Sequence, residues 1–207
     1  MAFRGTLFVF AFAAFALRYM EALKQSSPND NSDIDIVKVL NTSEPLWLYY
    51  QTYDNGVSLE SLDPAMAVFR LTQTCIYDKM KTISEESYNF THNLMVDGDR
   101  ETLQYMAIFN NDGSDSKSPR TSMKVYNETG SGPFFEMKLE YTDEHGGCSV
   151  FSVKFYEDGT IEDNNDCEVH VRDSHRHTGP TEKCMKYFNS SCSPQTLYKP
   201  YSETCSC

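Results

Sequence analysis

Most of the chain after residue 45 alternates between apolar and polar residues with a period of two, which is typical of strands that bury one face. In residues 135–141, Phe135, Met137, Leu139 and Tyr141 share one face, and Glu136, Lys138 and Glu140 share the other. This pattern, punctuated by Gly- and Asp-rich turns, predicts eight strands. They cover residues 46–53, 75–84, 88–96, 102–109, 121–126, 134–141, 149–156 and 166–172.

A short helix is predicted on each side of the strands. In residues 33–40, Ile36, Val39 and Leu40 share one helical face, and Ser32 or Asp33 could cap the first turn. Residues 181–190 predict a second helix, which is followed by an irregular tail. Residues 54–74 lack either periodicity and predict a long connection.

Eight antiparallel strands in sequence order hide their edges best by closing into an up-and-down barrel. A barrel of eight strands is wide enough to hold one small ligand. We therefore predict an all-β barrel preceded and followed by a helix. An open sandwich of two sheets is the architecture that the pattern leaves as an alternative.

The first residues have the features of a signal peptide, because Arg4 precedes an apolar run from Leu7 to Leu17 that is too short to span a bilayer. We expect cleavage near Ala22, with Ala16 as the alternative, so that residues 23–207 form one domain. Seven cysteines are typical of an extracellular protein. Four N-glycosylation sequons agree with this prediction, and they begin at Asn41, Asn89, Asn127 and Asn189.

The net charge of −12, with no basic patch, argues against nucleic acid and anionic membranes as partners. The chain has no Gly-x-Ser-x-Gly elbow, His-Glu-x-x-His pair or phosphate loop, so we expect no enzyme activity. His170, His175 and His177 are close in sequence and could suggest zinc. Two of them fall in a polar loop, where histidines are usually solvated, so we expect neither a metal nor a cofactor.

Several segments resemble a known family in their order and spacing. An aromatic strand ends in Gln51-Thr52-Tyr53, Cys75 opens the second strand, and Glu140-Tyr141-Thr142-Asp143 leads to Cys148-Ser149-Val150. Cys167-Glu168-Val169 lies in the last strand, and Cys184-Met185-Lys186-Tyr187-Phe188-Asn189 lies in the terminal helix. Together these segments resemble the tick salivary lipocalins, in particular their histamine-binding group. The resemblance implies an eight-stranded barrel with the C-terminal helix packed on its wall.

The resemblance also implies a disulfide pattern. It pairs Cys75 with the C-terminal tail at Cys205 or Cys207, and Cys148 with Cys184. Cys167 and Cys192 then remain for a third bond, and one tail cysteine stays unpaired. Bonds of this kind would attach the terminal segments to the barrel wall.

An amine ligand is a cation with an apolar body, so a buried site for it needs a carboxylate and profits from aromatic faces. Glu168 is the candidate carboxylate, because a disulfide that takes Cys167 outward turns Glu168 and His170 into the barrel. The resemblance adds Tyr53, Phe135 and Phe69 as aromatic wall residues. The period-two alternation adds Met137 and Tyr141.

The chain departs from the amine-binding pattern of the family at four positions, one of which is a Ser or Pro near residues 118–119 where the pattern has a Glu. His170 stands where amine binders carry Trp, and Ser149 and Met137 stand where they carry Asp. We therefore expect one amine site, for histamine or serotonin, in a secreted monomer that sequesters a host mediator. An eicosanoid or fatty acid, held at its carboxylate by Arg172 or His170, is one alternative. A host protein such as a complement component, bound through outer loops at 54–64 and 110–120, is another.

Overall fold

In the computed structural model of the chain, the residues described are 34–58, 70–111, 118–127, 132–143, 147–157, 159–161, 164, 166–192 and 196–207. The predicted signal peptide, residues 1–22, lies outside them. The strands are β1 (Leu46–Gln51), β2 (Val57–Ser58), β3 (Arg70–Leu71), β4 (Gln73–Ile83), β5 (Ser87–Val96), β6 (Asp99–Phe109), β7 (Ser122–Asn127), β8 (Pro133–Thr142), β9 (Cys148–Glu157), β10 (Thr160–Ile161) and β11 (Asp166–Arg172). The helices are α1 (Ile36–Leu40) and α2 (Glu182–Ser191).

Eight of the described strands close into an antiparallel barrel, which confirms the predicted fold. The order around the barrel is β11-β1-β4-β5-β6-β7-β8-β9, and β9 pairs with β11 to complete the ring. The hairpin between β5 and β6 turns at Asp97 and Gly98, whose φ angles of 50° and 92° are those of a tight two-residue turn. Ring closure leaves the eight strands without a free edge.

The inner faces of the strands form the main apolar core, as the alternation predicts. Phe151 and Val153 of β9 are each 1% exposed there, and Phe155 packs against the same cluster. Helix α1 closes one end of the barrel with Ile36 and Val39. The opposite end remains available for a cavity.

Helix α1 begins later than predicted. Its cap is Asp35, whose side chain accepts a hydrogen bond from the Val37 backbone at 3.0 Å, whereas the predicted caps Ser32 and Asp33 lie outside the described residues. Ile36, Val39 and Leu40 are buried, as expected from their shared face. The Ile36 amide also donates to the Arg120 carbonyl at 2.8 Å, which ties the helix to the residues before β7.

Helix α2 packs on the outside of the barrel. Thr181 caps it by accepting a hydrogen bond from the Cys184 amide. Cys184 and Phe188 are fully buried against Val169 and Val171, which lie on the outer face of β11. The predicted division of β11 into an outer apolar face and an inner polar face is therefore confirmed.

Three disulfides join the terminal segments to the barrel. Cys148 pairs with Cys184, Cys167 with Cys192 and Cys75 with Cys205, which leaves Cys207 as the free, exposed cysteine. These are the pairs that the family resemblance implied. The tail is also held without covalent bonds, because the Cys75 amide donates to the Pro200 carbonyl at 2.8 Å and Tyr201 stacks on Tyr49.

Candidate functional site

A cavity of about 520 Å³ lies inside the barrel, away from the end that α1 closes. This is the size of a typical small-molecule site. Its inner wall is formed by Leu48, Gln51, Tyr53, Ile76, Asp78, His92, Tyr105, Phe135, Met137, Phe155, Glu168 and His170. The other lining residues are half-buried or exposed, and they are Asp54, Asn55, Gly56, Gln73, Leu103, Phe134, Asn164 and Asp166.

Glu168 reaches this cavity because β11 alternates strictly. Cys167 turns outward to its disulfide, so the next side chain points inward and is only 8% exposed. The Tyr53 hydroxyl donates a hydrogen bond to one carboxylate oxygen of Glu168. The Nε2 of His170 lies 2.7 Å from the other oxygen. We call Glu168, His170 and Tyr53 the Glu168 cluster.

The Glu168 cluster keeps its carboxylate ionised. Burial raises the pKa of Glu168, but the hydrogen bond and charge of His170, the hydrogen bond from Tyr53 and the charge of His92 together hold that pKa below its ordinary value. Burial and the adjacent Glu168 raise the pKa of Tyr53 well above its usual value, so its hydroxyl stays a donor. The cavity therefore holds a fixed negative charge at neutral pH.

A second carboxylate and histidine face the same cavity. The Nδ1 of His92 on β5 lies 2.7 Å from Oδ1 of Asp78, its neighbour on β4. Burial lowers the pKa of His92, but the charge and hydrogen bond of Asp78 and the charge of Glu168 outweigh it and raise that pKa above its ordinary value. We call these two residues the Asp78 pair.

Aromatic rings connect the Glu168 cluster to the Asp78 pair along the cavity wall. The ring of Tyr53 lies 5.0 Å from that of Phe155, and Phe155 lies 6.1 Å from Phe135. Phe135 lies 6.0 Å from Tyr105, which in turn lies 5.6 Å from the ring of His92. Such a wall offers stacking and cation–π contacts to an aromatic or cationic ligand.

Gln51 contributes an amide to the same wall. It is fully buried, and it lies directly opposite Glu168 in the pairing of β1 with β11. Its Nε2 donates to the Tyr53 carbonyl at 2.7 Å. Its Oε1 is buried and accepts no hydrogen bond from any residue that the structure describes. A buried acceptor without a donor is costly, so Gln51 brings an unsatisfied polar atom to this side of the barrel.

The structure brings together five of the seven predicted ligand-binding residues. Glu168, Tyr53, Phe135, His170 and Met137 line the cavity, whereas Phe69 lies outside the described residues. Tyr141 does not reach the cavity, which corrects its placement on the inner face. The pairing of β8 with β9 slips between Leu139 and Tyr141, and this bulge turns Tyr141 outward to stack on Tyr187 of α2.

Sequence reasoning missed Asp78, His92 and Gln51. The signal for Asp78 was present, because Cys75 also bonds outward, and the alternation that follows turns Ile76 and Asp78 inward. His92 then follows from its pairing with Asp78. For Gln51 no signal existed, since a bulge between Leu48 and Tyr50 sets its direction.

Other predicted features fall outside the cavity or outside the described residues. In the described part of the chain no three His, Cys, Asp or Glu side chains are grouped to hold a metal ion. No described helix is long and apolar enough to cross a membrane. Residues 59–64 and 112–117 of the two predicted binding loops are not described.

The sequon asparagines differ in exposure. Asn41, Asn127 and Asn189 are exposed. Asn89 is half-buried and donates its amide to Thr82 at 2.9 Å. Glycosylation at all four remains a prediction.

Comparisons with known proteins give a family and a fold. A sequence model of the family "Tick histamine binding protein" matches residues 24–207. A crystal structure of an AM182 serotonin complex is similar, with a TM-score of 0.57 and 14% identity over 87% of this chain and 98% of that one. The siderocalin Ex-FABP, described as having dual ligand specificities, gives a TM-score of 0.50 and 9% identity over 80% and 97%. A search of curated protein sequences found no match.

Proposed function

Because the chain belongs to the tick histamine-binding protein family, we propose that it is a secreted protein that sequesters a small biogenic amine, histamine or serotonin, in its barrel. The observation that carries this proposal is the ionised Glu168 in an aromatic cavity. An ammonium group buried there meets a carboxylate that two neighbours already hold in place. Preorganisation of this kind lowers the cost of binding a cation away from water.

The charge of the cavity favours an amine over a fatty acid or eicosanoid. Four of its described lining residues are acidic, namely Asp54, Asp78, Asp166 and Glu168. None of the described lining residues is Lys or Arg. Arg172, the expected partner of a lipid carboxylate, instead donates to the Val39 carbonyl at the end closed by α1. His170 is engaged with Glu168. A carboxylate ligand would therefore meet like charge, with no Lys or Arg among the described lining residues to receive it.

Sequestration without catalysis agrees with the same features. The family match and the serotonin complex of the similar structure support a binding protein. The aromatic wall supplies a surface on which the apolar body of an amine can stack. Three disulfides attach the tail and α2 to the barrel outside the cavity. We infer that the protein acts as a monomer that holds its ligand and lowers the free concentration of it.

The test is native mass spectrometry and calorimetry of the secreted protein with histamine, serotonin and a leukotriene. We expect one amine to bind, and Glu168→Gln to lose at least about 100-fold in affinity, because the ammonium would be left without its charge partner. Glu101→Gln, on an exposed position of β6, is the matched control. Binding of the leukotriene alone would replace the amine with a lipid. Binding of none would overturn the proposal and move attention to a host protein.

A further inference from the structure

We propose that the Asp78 pair is a second subsite of the cavity, which selects aromatic amines whose ring carries its own N–H or O–H donor. This inference rests on the proposed function, because it takes the ammonium group to lie at Glu168. It adds a residue that determines specificity, and it names the class of amine that the protein distinguishes.

The first argument concerns the carboxylate oxygens. Both oxygens of Glu168 already accept hydrogen bonds, from Tyr53 and His170. Asp78 accepts one, at Oδ1, and its Oδ2 receives no hydrogen bond from the residues that the structure describes. The side chain of Asp78 is 14% exposed and lines the cavity. Asp78 therefore has one carboxylate oxygen that accepts no hydrogen bond from the described residues, whereas each oxygen of Glu168 already accepts one and has a single lone pair left.

The second argument concerns the buried amide of Gln51. Gln51 lies on the strand next to Glu168 and lines the same cavity, and its Oε1 is buried without a hydrogen-bond donor among the described residues. An ammonium group carries three donors, and Glu168 with Gln51 supplies acceptors for it on adjacent strands. With the ammonium satisfied there, Asp78 is left for a donor at the other end of the ligand.

The third argument is the path between these two acceptors. The rings of Phe155, Phe135 and Tyr105 run from the Glu168 cluster to the Asp78 pair. The charge of Glu168 raises the pKa of His92, so the two groups influence each other across the cavity. A ligand with an ammonium at one end and an aromatic ring at the other would place the ring along this wall and its donor at Asp78.

Selectivity follows from the cost of an unmet polar group. A ring donor such as an imidazole N–H donates a hydrogen bond to Asp78 Oδ2. A plain phenyl ring would displace water from that oxygen without donating a hydrogen bond to it. Sites built to accept a donor discriminate strongly against ligands that lack it. We expect histamine to bind at least tenfold more tightly than phenethylamine, which has the same charge and no ring donor.

The experiment is calorimetry with histamine and phenethylamine at about pH 8, on the wild type, Asp78→Asn and Glu168→Gln. We expect Asp78→Asn to weaken histamine at least tenfold and phenethylamine less than threefold. Glu168→Gln should weaken both ligands strongly. Glu101→Gln should change neither, and thermal melting of each variant establishes that it is folded.

Each other outcome has a definite meaning. If Asp78→Asn weakens both ligands equally, or leaves histamine unchanged, the second subsite is wrong while the amine site stands. If that variant does not fold, the wild type still decides, because equal affinity for the two ligands would overturn the inference. If neither ligand binds the wild type, the inference fails, and the proposed function fails with it when serotonin does not bind either.

Discussion

The Glu168 cluster and the Asp78 pair are both a carboxylate with a histidine in one cavity, yet they are built differently. Glu168 is held at both oxygens and is 8% exposed, on a strand whose neighbouring cysteine is bonded to the C-terminal segment. Asp78 is held at one oxygen by a histidine of the next strand. The first arrangement fixes the negative charge of Glu168. The charge of the second can change when a ligand binds to Asp78 or a proton binds to His92.

The two histidines differ in the structural elements that fix their contacts with the carboxylates. His170 follows Glu168 on the same face of one strand, so β11 alone sets the geometry of that contact. His92 meets Asp78 across two strands and lies against Tyr105. We therefore expect the Glu168 cluster to contribute more to folding, and the Asp78 pair to respond more to pH and ligand.

The largest expected effect is on stability. Glu168→Ala should lower the free energy of unfolding by about 3–5 kcal/mol, because it removes one partner of a buried pair and leaves Tyr53 and His170 without their acceptor. Asp78→Ala should cost only about 1–2 kcal/mol, since it removes one hydrogen bond. Urea unfolding of both variants at neutral pH measures the two losses. Equal losses would contradict the division between a structural and a responsive carboxylate.

A somewhat smaller loss is expected from the disulfide beside Glu168. Replacing Cys167 and Cys192 together by Ser should lower the free energy of unfolding by about 2–4 kcal/mol, because the bond closes a segment of 25 residues. It should also shift the ring signals of His170 in NMR more than those of His92.

The matched variant replaces Cys75 and Cys205 together by Ser. Cys75 lies three residues before Asp78. It should disturb His92 more than His170, because Cys75 lies on the same strand as Asp78. The same shifts in both variants would show that the two sites are not anchored separately.

Period-two alternation predicted the barrel with an open sandwich as its alternative, and the disulfide that the resemblance implied at Cys167 predicted the inward direction of Glu168. Each of these depends on neighbours along one strand, which a sequence displays directly. The Asp78 pair depends on the register between two strands. The outward disulfide at Cys75 indicates the inward direction of Asp78 in the same way as the disulfide at Cys167 indicates that of Glu168.

The bulges were beyond prediction. One bulge turns Tyr141 to the outer wall, and another puts Tyr49 and Tyr50 outside and Gln51 inside. A bulge shifts the alternation by one residue, and its position is set by how the whole barrel closes rather than by the local sequence. The alternation alone therefore assigned Tyr141 to the wrong face.

The next prediction concerns the hydrogen bond from Tyr53. Tyr53→Phe should move the pKa of Glu168 back toward its ordinary value and cost about 1.5–3 kcal/mol, because a hydrogen bond to a charged group is lost. Glu168 has a lowered pKa when folded, so its contribution is present above the unfolded pKa and is lost as the pH falls through the folded pKa. The variant should lose this contribution at a higher pH, which carbon NMR of the carboxyl group can follow.

Tyr105→Phe is the control for this change on the other side of the cavity. The Tyr105 hydroxyl has no hydrogen bond to the described residues, so removing it should leave both the stability and the pKa of Glu168 unchanged. An equal effect of the two variants would mean that the hydroxyl of Tyr53 acts only through packing.

The smallest expected effect is a dependence of amine affinity on pH near neutrality. The groups that face His92 are Asp78 on β4, Tyr105 on β6 and Glu168 across the cavity. Protonated His92 places a positive charge beside Asp78 and opposes a cationic ligand. Since its pKa is raised, affinity should fall as the pH drops through a value above about 6.5, by up to about tenfold per pH unit.

The stability of the free protein should move in the opposite direction over the same range. A histidine with a raised pKa stabilises the fold fully below its unfolded pKa, and this contribution is lost as the pH rises through the folded pKa. Between about pH 8 and pH 6 the ligand-free protein should therefore become more stable through His92 while histamine binds less tightly. His92→Gln should flatten both profiles, as measured by thermal melting and calorimetry across that range. A profile that His92→Gln leaves unchanged would assign the dependence to another group and remove His92 from the responsive site.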